Sequence, residues 1–469
     1  MAASLPVVPH DPYLALRVRN YRDYMIGSFL SLLGRQAVSV AITWEIYQWT
    51  GSATALGLVG FLNLVPLLLL SLPAGAIADH SDRRKVISFS HLILVILSLS
   101  LAALSIWREH VPNLAPLRWT NAVLRDIALL FERHVDPSTL RFDQPALPLI
   151  LLVMTAMACA RIIGWPSRST IVPLLLPPHA LSNAITWGSS AFEIATVFGP
   201  MLGGFMIAWF GFPAVYVFDA VLGAIFCWAV IRTRYFNAPP PASRERSWRH
   251  LLAGADFIWK RKVILGASSL DLFATLLGGA ITLLPLYADR ILHVGPIGLG
   301  WLRAAPSIGA FAMAMWLAHR APLVRPGRAL LWSVAGFGVA IIVFGLSHWF
   351  WLSFIALVFT GVFDNVSVVV RQSLVQLLTP NRLRGRVTGV NQIFIGSSNE
   401  VGSLRAGFTA AAFGPIAAVV SGGIGTLLVV ALIARSVPAL ARLAPLPTLK
   451  PEDDEGFTPD TSPKPKTIS

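Results

Sequence analysis

Charged side chains inside long apolar runs are the residues of this sequence that could do chemistry. Arg35, Arg161, Asp271, Arg303 and Asp364 each stand within such a run. A charge at the centre of a bilayer costs about 2.5–3.5 kcal/mol on insertion scales, so it normally faces a cavity or an opposite charge. Burial favours the neutral form of a carboxylate, while a nearby cation favours the ionised form. We therefore expect one of the two aspartates to take up a proton, and the arginines to bind an anionic substrate or to tune those acids.

The elements that position these residues are predicted to be membrane-spanning helices. The chain of 469 residues is 55% hydrophobic and 13% charged, with a mean hydropathy of +0.67, whereas a soluble domain has about 25% charged residues. A helix needs roughly 20 apolar residues to cross a hydrocarbon core of about 30 Å. Twelve such runs occur, at residues 22–48, 54–78, 86–107, 148–167, 183–208, 213–231, 263–288, 297–319, 328–346, 350–371, 387–412 and 415–434.

An internal repeat divides these spans into two sets of six. Residues 168–211 recur 203 positions later with eleven identities in 44 positions. Earlier in the chain, a shift of 243 aligns Leu33, Leu56 and Gly57 with Leu276, Leu299 and Gly300. The difference of 40 equals the length of the polar stretch 108–147, which only the first half contains. The sequence therefore predicts an all-α membrane protein with two pseudo-symmetric six-helix bundles, and such duplication is typical of transporters.

The repeat sets the expected domain boundaries. The first bundle takes residues 1–231 and carries the insertion 108–147, and a linker with an amphipathic helix takes 232–262. The second bundle takes 263–436 and a disordered cytoplasmic tail takes 437–469. The insertion is predicted to hold an amphipathic helix around Leu124. That helix could rest on the external lipid surface, cover the external mouth as a lid, or dock a partner.

The net charge of +14 orients the protein rather than pointing to nucleic acid. The loops around Gly51, Gly211, His348 and Gly414 contain no Lys or Arg, whereas the loops on the other side are basic. This asymmetry predicts a multi-pass protein with both termini in the cytoplasm. The basic residues concerned are Arg17, Arg19, Arg22, Arg83, Arg84, Lys85, Arg232, Arg234, Arg244, Arg246, Arg249, Lys260, Arg261, Lys262, Arg320, Arg325, Arg328, Arg382, Arg384 and Arg386.

Two short motifs resemble those of the major facilitator superfamily. In the turn between spans two and three, Gly75, Ala78, Asp79, Arg83 and Arg84 fit a pattern that in that family gates the change between inward-open and outward-open states. His80 and Asp82 depart from it. In span five, a Gly-Pro-x-x-Gly-Gly segment is similar to the motif of exporting antiporters; its helix-packing residues are Gly199, Pro200, Gly203 and Gly204. The alternative for the first motif is a charged turn that only fixes topology.

The resemblance is strongest to the enterobactin-exporter branch of that superfamily. It rests on residues 300–306, 384–391 and 394–400 in the second half, with 21–34 and 50–52 in the first. The branch often continues span eleven with two further acids, where this chain has Ser403, Leu404 and Arg405. The resemblance implies the major facilitator fold, with spans one, four, seven and ten around a central cavity.

Register places opposite charges on equivalent helices. Arg161 in span four and Asp364 in span ten stand 203 positions apart, so we expect them to face each other across the cavity. Arg371 extends a polar stripe in span ten. The alternative is that Arg161 and Asp364 form a permanent structural pair.

For five polar residues the sequence also permits a role in structure alone or simple contact with solvent. Arg303 and Glu400 could be interhelical clamps. Glu45 and Asp289 are expected at the external interface, in contact with solvent, and His91 is expected to be packed and hydrogen-bonded.

Together these features predict a secondary active transporter of a bacterial inner membrane. The expected activity is proton-coupled efflux of a small amphipathic compound, a siderophore or drug, by a monomer that needs no cofactor or metal beyond the proton gradient. Uptake or lipid flipping by the same fold is the alternative, and a membrane-embedded enzyme or sensor is the alternative from another class. No phosphate-binding Gly-rich loop is present in the sequence, which argues against ATP as the energy source.

Overall fold

The computed structural model describes residues 11–132, 137–236, 255–320 and 324–445, and in these residues it is helical with no β-strand. The helices are α1 (Arg19–Thr50), α2 (Ala53–His80), α3 (Arg83–Ile106), α4 (Ala115–Phe131), α5 (Leu147–Leu175), α6 and α7 (the run Leu181–Arg232), α8 (Lys262–Leu277), α9 (Gly295–Ala318), α10 (Pro326–Leu346), α11 (Phe350–Leu378), α12 (Asn381–Phe413), α13 (Pro415–Ser436) and α14 (Pro438–Ala441).

Twelve of these elements correspond to the predicted spans. In the described ranges, nine stretches are long and apolar enough to cross a membrane, and one of them, Pro178–Arg232, contains two spans. The more polar helices α9 and α12 bring the total to twelve. Helix α4 belongs to the insertion and α14 follows the last span.

Matching glycines make the turns that reverse the chain within each bundle. Gly211 separates α6 from α7 at φ 77°, and Gly414 separates α12 from α13 at φ 86°. Residues other than glycine rarely adopt positive φ. The two glycines are repeat mates 203 positions apart, so the duplication extends to these turns.

The contacts between the bundles obey the same symmetry. A Cβ on Gly57 of α2 would lie 3.0 Å from the Gly407 Cα of α12, and a Cβ on Gly204 of α6 would lie 3.1 Å from the Gly300 Cα of α9. Gly57 and Gly300 are mates in one repeat register, and Gly204 and Gly407 are mates in the other. Small residues let helices approach closely in membranes, and here they build two equivalent joints between the bundles.

Among the described residues, one apolar core contains side chains of both bundles, and it lies at one end of the molecule. We call this end, which carries α4 and the loops near Gly51 and Gly414, the insertion end; the opposite end is the terminal end. At the insertion end, one core contains residues of both bundles, including Leu56, Leu299 and Ala410. Toward the terminal end, the cores among the described residues each belong to a single bundle.

The seventh span differs from the predicted single helix 263–288. Helix α8 ends at Leu277, and short helical segments carry the chain on to Ile291. The interruption falls at Gly278 and Gly279, where the backbone leaves helical geometry. Two consecutive glycines have low helix propensity, which permits the break.

The predicted tail begins with structure rather than disorder. Leu440 in α14 is fully buried against α8 and α10, in the core that contains Ala267 and Leu330. Burial of this one apolar side chain holds the first turn of the tail on the second bundle. The rest of the tail, from residue 446, lies outside the described residues, as does most of the amphipathic helix predicted in the linker, at residues 237–254.

Candidate functional site

A cavity of about 610 Å³ lies between the two bundles. Pockets of roughly 300–1,000 Å³ are usual for small ligands. Most of its surface is apolar. Polar groups come from α1, α2, α5, α8 and the segment after it, α9, α11 and α12: Ser39, Thr43, Asn63, Arg161, Thr275, Thr282, Arg303, Asp364, Asn399, Glu400 and Ser403.

Arg303 joins the bundles at mid-depth. Its guanidinium on α9 donates hydrogen bonds to Ser39 Oγ of α1 at 2.7 Å and to Thr43 Oγ1 at 3.3 Å. These are neutral acceptors, so the positive charge of Arg303 remains available to the cavity. The arginine can therefore hold the bundles together and attract an anionic group at the same time.

Arg161 and Asp364 both line the cavity, but they do not form an ion pair. The electrostatic partners of Arg161 are Asp219 and Glu400. The prediction of these two as lining residues fits the geometry, whereas the alternative of a permanent Arg161–Asp364 pair does not. Register alone placed both on inward faces and could not set the directions of two long side chains.

Asp364 is an unpaired carboxylate of the cavity wall. No hydrogen bond or ion pair joins it to another residue in the part of the chain that the structure describes. Glu400, the other acid of the wall, interacts with Asn63 of α2 and with Arg161 of α5, and thereby joins the bundles. Of the two acids, Asp364 is the one whose protonation breaks no interaction between described residues.

Asp271 and Arg371 lie elsewhere than predicted. They form a buried ion pair between α8 and α11, and Arg371 is only 3% exposed. Neither residue lines the cavity, although Thr275, one turn after Asp271, does. The polar stripe that the sequence indicates in span ten is therefore divided, since its charged end pairs inside the second bundle.

Arg35 lies in a smaller pocket inside the first bundle, beside the cavity. Arg161, Arg168 and Asp219 share this pocket with Arg35. Asp219 of α7 accepts a hydrogen bond from Ser98 Oγ at 2.5 Å. Asp219 was not among the residues predicted from the sequence, although it is an acid inside an apolar run, like the other acids that were predicted.

Arg405, which stands in span eleven where the enterobactin-exporter branch often has an acid, has a structural role. The Arg405 guanidinium donates to the carbonyl oxygens of Leu276, at 3.0 Å, and of Leu277. These carbonyls terminate α8, where the glycine break leaves them without helical partners. Arg405 therefore stabilises an interrupted helix at the cavity wall and is not a lining residue itself.

The predicted gate segment forms a tight turn at the terminal end. Asp82 caps α3 by accepting from the backbone N of Arg84 at 2.9 Å, and it accepts from the Tyr235 hydroxyl at 2.6 Å. Arg84 donates to the Thr233 carbonyl at 2.9 Å. Partial burial opposes ionisation of Asp82, but the hydrogen bonds from Tyr235 and Arg84 hold the pKa of this carboxyl below its usual value. The departure from the family pattern at position 82 thus ties α3 to the end of α7.

Of the other gate residues, Arg83 donates to the Thr170 carbonyl of α5 at 3.4 Å, and Gly75 is buried. Asp79 ends α2 close to this turn.

The packing motif in α6 serves two contacts. A Cβ on Gly203 would lie 2.9 Å from the Ala37 Cα of α1, while Gly204 approaches α9 of the other bundle. The Pro200 carbonyl would lie 2.7 Å from a Cβ on Gly300. The segment around Gly199 thus packs α6 against α1 within its own bundle and against α9 across the interface.

Glu45 is buried, whereas the sequence led us to expect it in contact with solvent. It is 1% exposed instead of solvated, and it accepts hydrogen bonds from Ser105 Oγ and the Tyr216 hydroxyl, both at 2.6 Å. Position near the end of an apolar run does not fix whether a side chain points outward. Asp289 accepts from the Tyr47 hydroxyl at 3.2 Å across the bundles, and the buried His91 contacts the Ile87 carbonyl as expected.

The insertion contacts both bundles. Phe131 at the end of α4 packs edge-on against Phe408 of α12, with ring centroids 4.5 Å apart. Glu132 accepts hydrogen bonds from Ser52 Oγ and from the backbone N of Thr54, at the start of α2. Contact with both bundles is what the lid alternative requires, while the exposed Trp119 and Leu130 of α4 are what the lipid-surface alternative requires.

Comparisons with known proteins agree with this architecture. The sequence matches the model of the Major Facilitator Superfamily over residues 24–326 and 272–464. Enterobactin exporter EntS of Escherichia coli O1:K1 is 24% identical over 433 residues, which cover 91% of this chain and 94% of that protein. EntS of Shigella boydii serotype 18 has the same identity and coverage.

Solved structures of transporters are similar in fold. A bacterial homologue of the human lysosomal transporter Spinster, inward-facing and occupied, matches with a TM-score of 0.65 at 14% identity, over 92% of this chain and 99% of that one. A D-xylose-proton symporter matches with a TM-score of 0.62 at 13% identity, over 90% of this chain and 98% of that one.

Proposed function

Because the chain belongs to the major facilitator superfamily and is therefore a transporter rather than an enzyme, we propose that it exports a small amphipathic compound, a siderophore or drug, from a bacterial cell in exchange for protons. The curated relatives are exporters of enterobactin by name. The proposed mechanism is alternating access, in which the two bundles rock about the cavity. The protein acts as a monomer in the inner membrane and uses no cofactor.

The observation that carries this proposal is a charged cavity closed at one end. Among the described residues, three contacts join the bundles at the insertion end and at mid-depth: Tyr47 with Asp289, Arg290 Nη2 with the Gly51 carbonyl at 2.9 Å, and Arg303 with α1. The basic turn at Arg84 supports a cytoplasmic position for the terminal end. This is the state in which an exporter takes up its cargo.

The cavity wall supplies both binding and coupling groups. Arg161 and Arg303 attract an anionic group of the cargo, and the apolar wall takes its hydrophobic part. Asp364 carries the proton, since it has no partner among the described residues that would keep it ionised. Asp271 is the weaker candidate for this role because Arg371 pairs with it.

A retention assay in whole cells tests the direction of transport. We would compare the retention of a catecholate siderophore, and separately of an amphipathic dye, in cells lacking the protein and in cells expressing it. Export predicts higher retention in the cells that lack it. Lower retention in those cells would overturn export and favour uptake, and equal retention of phospholipid probes would argue against lipid flipping.

Vesicles with an imposed pH gradient test the coupling. Asp364→Asn should abolish the dependence of transport on the gradient, whereas Asp271→Asn should leave this dependence in whatever protein folds. Glu109→Gln, which changes an exposed acid outside the cavity, is the matched control. Proton dependence that is unchanged in Asp364→Asn would remove this residue from the coupling role.

A further inference from the structure

The pocket inside the first bundle is separate from the transport cavity and is unusually basic. It has a volume of about 50 Å³ and lies among α1, α3, α5 and α7. Three arginines line it, Arg35, Arg161 and Arg168, against one carboxylate, Asp219. The nearby His91 contacts the Ile87 carbonyl.

The charges of this pocket do not balance. Arg161 also interacts with Glu400 of the second bundle, so three cations face two carboxylates. Arg168 donates to the Ser28 Oγ at 2.8 Å and lies over the Phe226 ring at 4.9 Å, and neither partner carries a charge. The guanidinium of Arg35 makes no hydrogen bond or ion pair with any described residue.

An excess positive charge at membrane depth is costly unless an anion compensates it. The volume is about three times the ~15 Å³ that one water needs, which suits a single small anion and excludes a siderophore or drug. We propose that this pocket binds a small inorganic anion of the size of chloride, held between Arg35, Arg161 and Arg168.

The pocket has a route for such an ion. Arg35 and Arg168 also line a second pocket of about 370 Å³ among α1, α5 and α6, toward the terminal end. Arg161 lines the transport cavity on the other side. The anion enters past Arg168. Its negative charge then offsets the positive charge of Arg161, the residue that also borders the transport cavity.

Thermal unfolding of the purified full chain in detergent tests the site, with chloride exchanged for gluconate at constant ionic strength. Chloride should raise the unfolding temperature in a saturable way, because a ligand that binds only the folded state stabilises it. Arg35→Gln should weaken the apparent chloride affinity about tenfold or more, because it removes a charge within a few ångströms of the ion.

Asp219→Asn gives a prediction of opposite sign. Loss of the one carboxylate of the pocket should strengthen chloride binding about tenfold. Arg435→Gln removes an exposed arginine at the end of α13, outside the pockets described above, and should keep the wild-type chloride response. No chloride-specific stabilisation of the wild type would overturn the site, as would a wild-type response in both Arg35→Gln and Asp219→Asn.

Bromide supplies a readout that depends on no variant. Crystals of the wild type grown in bromide should show an anomalous peak between the three arginines, and its absence there would contradict the proposal. Neither readout involves transport, so the outcome is independent of the proposed export function.

Discussion

At the scale of single residues, two aspartates that look alike in sequence have different surroundings. Asp271 is buried against Arg371 inside the second bundle, whereas Asp364 borders the cavity without a described partner. An acid in a fixed pair stabilises the fold, and an acid at a cavity wall can change protonation during transport. We therefore expect substitution of Asp271 to change the stability of the protein, and substitution of Asp364 to change the proton coupling of transport.

Asp271→Asn should be strongly destabilising. It leaves the Arg371 charge buried without its partner, which costs about 3–5 kcal/mol in comparable pairs. The measurement is the unfolding temperature of the purified protein. The double variant Asp271→Leu with Arg371→Met should recover much of the loss, because it removes both charges. Equal stability of Asp271→Asn and Asp364→Asn would contradict the assignment.

Sequence reasoning selected the charged residues but could not place all of them. Of the six predicted pathway residues, Arg161, Arg303 and Asp364 line the cavity, and Arg35 lies beside it. Helical spacing indicates which face a residue shares, but it does not say whether a facing helix supplies a partner. That information comes from tertiary packing, which also explains why Glu45 is buried.

At the scale of elements, the spans were predictable and their ends and interruptions were not. Bilayer thickness and apolar runs fix twelve helices, and the repeat pairs them. Arg405 stabilises the break in the seventh span, and it is 128 and 129 positions away from the two carbonyls to which it donates. No local pattern carries such a long-range contact.

The turn between α2 and α3 gives a prediction with a defined pH dependence. Asp82→Ala removes the cap of α3 and should cost about 0.5–2 kcal/mol. Since the pKa of Asp82 is lowered in the folded protein, its contribution is complete above the ordinary value of about 3.9 and is lost as the pH falls through the lowered value. Unfolding temperatures across this range, with Ser81→Ala as control, check the effect. A difference in unfolding temperature between Asp82→Ala and the wild type that grows as the pH falls would contradict this prediction.

The insertion gives a prediction about the lid. Phe131→Ala removes the contact with Phe408 and should weaken closure at the insertion end, by about two- to tenfold in population, because such aromatic pairs contribute about 0.5–1.5 kcal/mol. The measurement is the rate at which a reagent added from outside labels Thr43→Cys, in a Cys159→Ser, Cys227→Ser background. Trp119→Ala on the same helix, where Trp119 is 70% exposed, is the control.

Faster labelling in Phe131→Ala than in Trp119→Ala is expected. Equal labelling in the two variants would mean that α4 rests on the surface without closing the cavity.

At the scale of the whole molecule, the duplication determines both the joints and the motion. The symmetric glycine contacts hold the bundles together at the insertion end, while the apolar cores separate toward the terminal end. Packed interfaces tend to switch between discrete arrangements rather than deform continuously. The second state is therefore expected to close the terminal end and to open the insertion end.

Distances between spin labels at the two ends would follow this motion in the cysteine-free protein. One pair joins Glu109 and Trp349 at the insertion end, and the other joins Ser81 and Arg320 at the terminal end; all four positions are exposed. When cargo and a pH gradient are added, the terminal-end distance should shorten as the insertion-end distance lengthens. Distances that change in the same direction, or only at one end, would contradict two bundles rocking about a shared cavity.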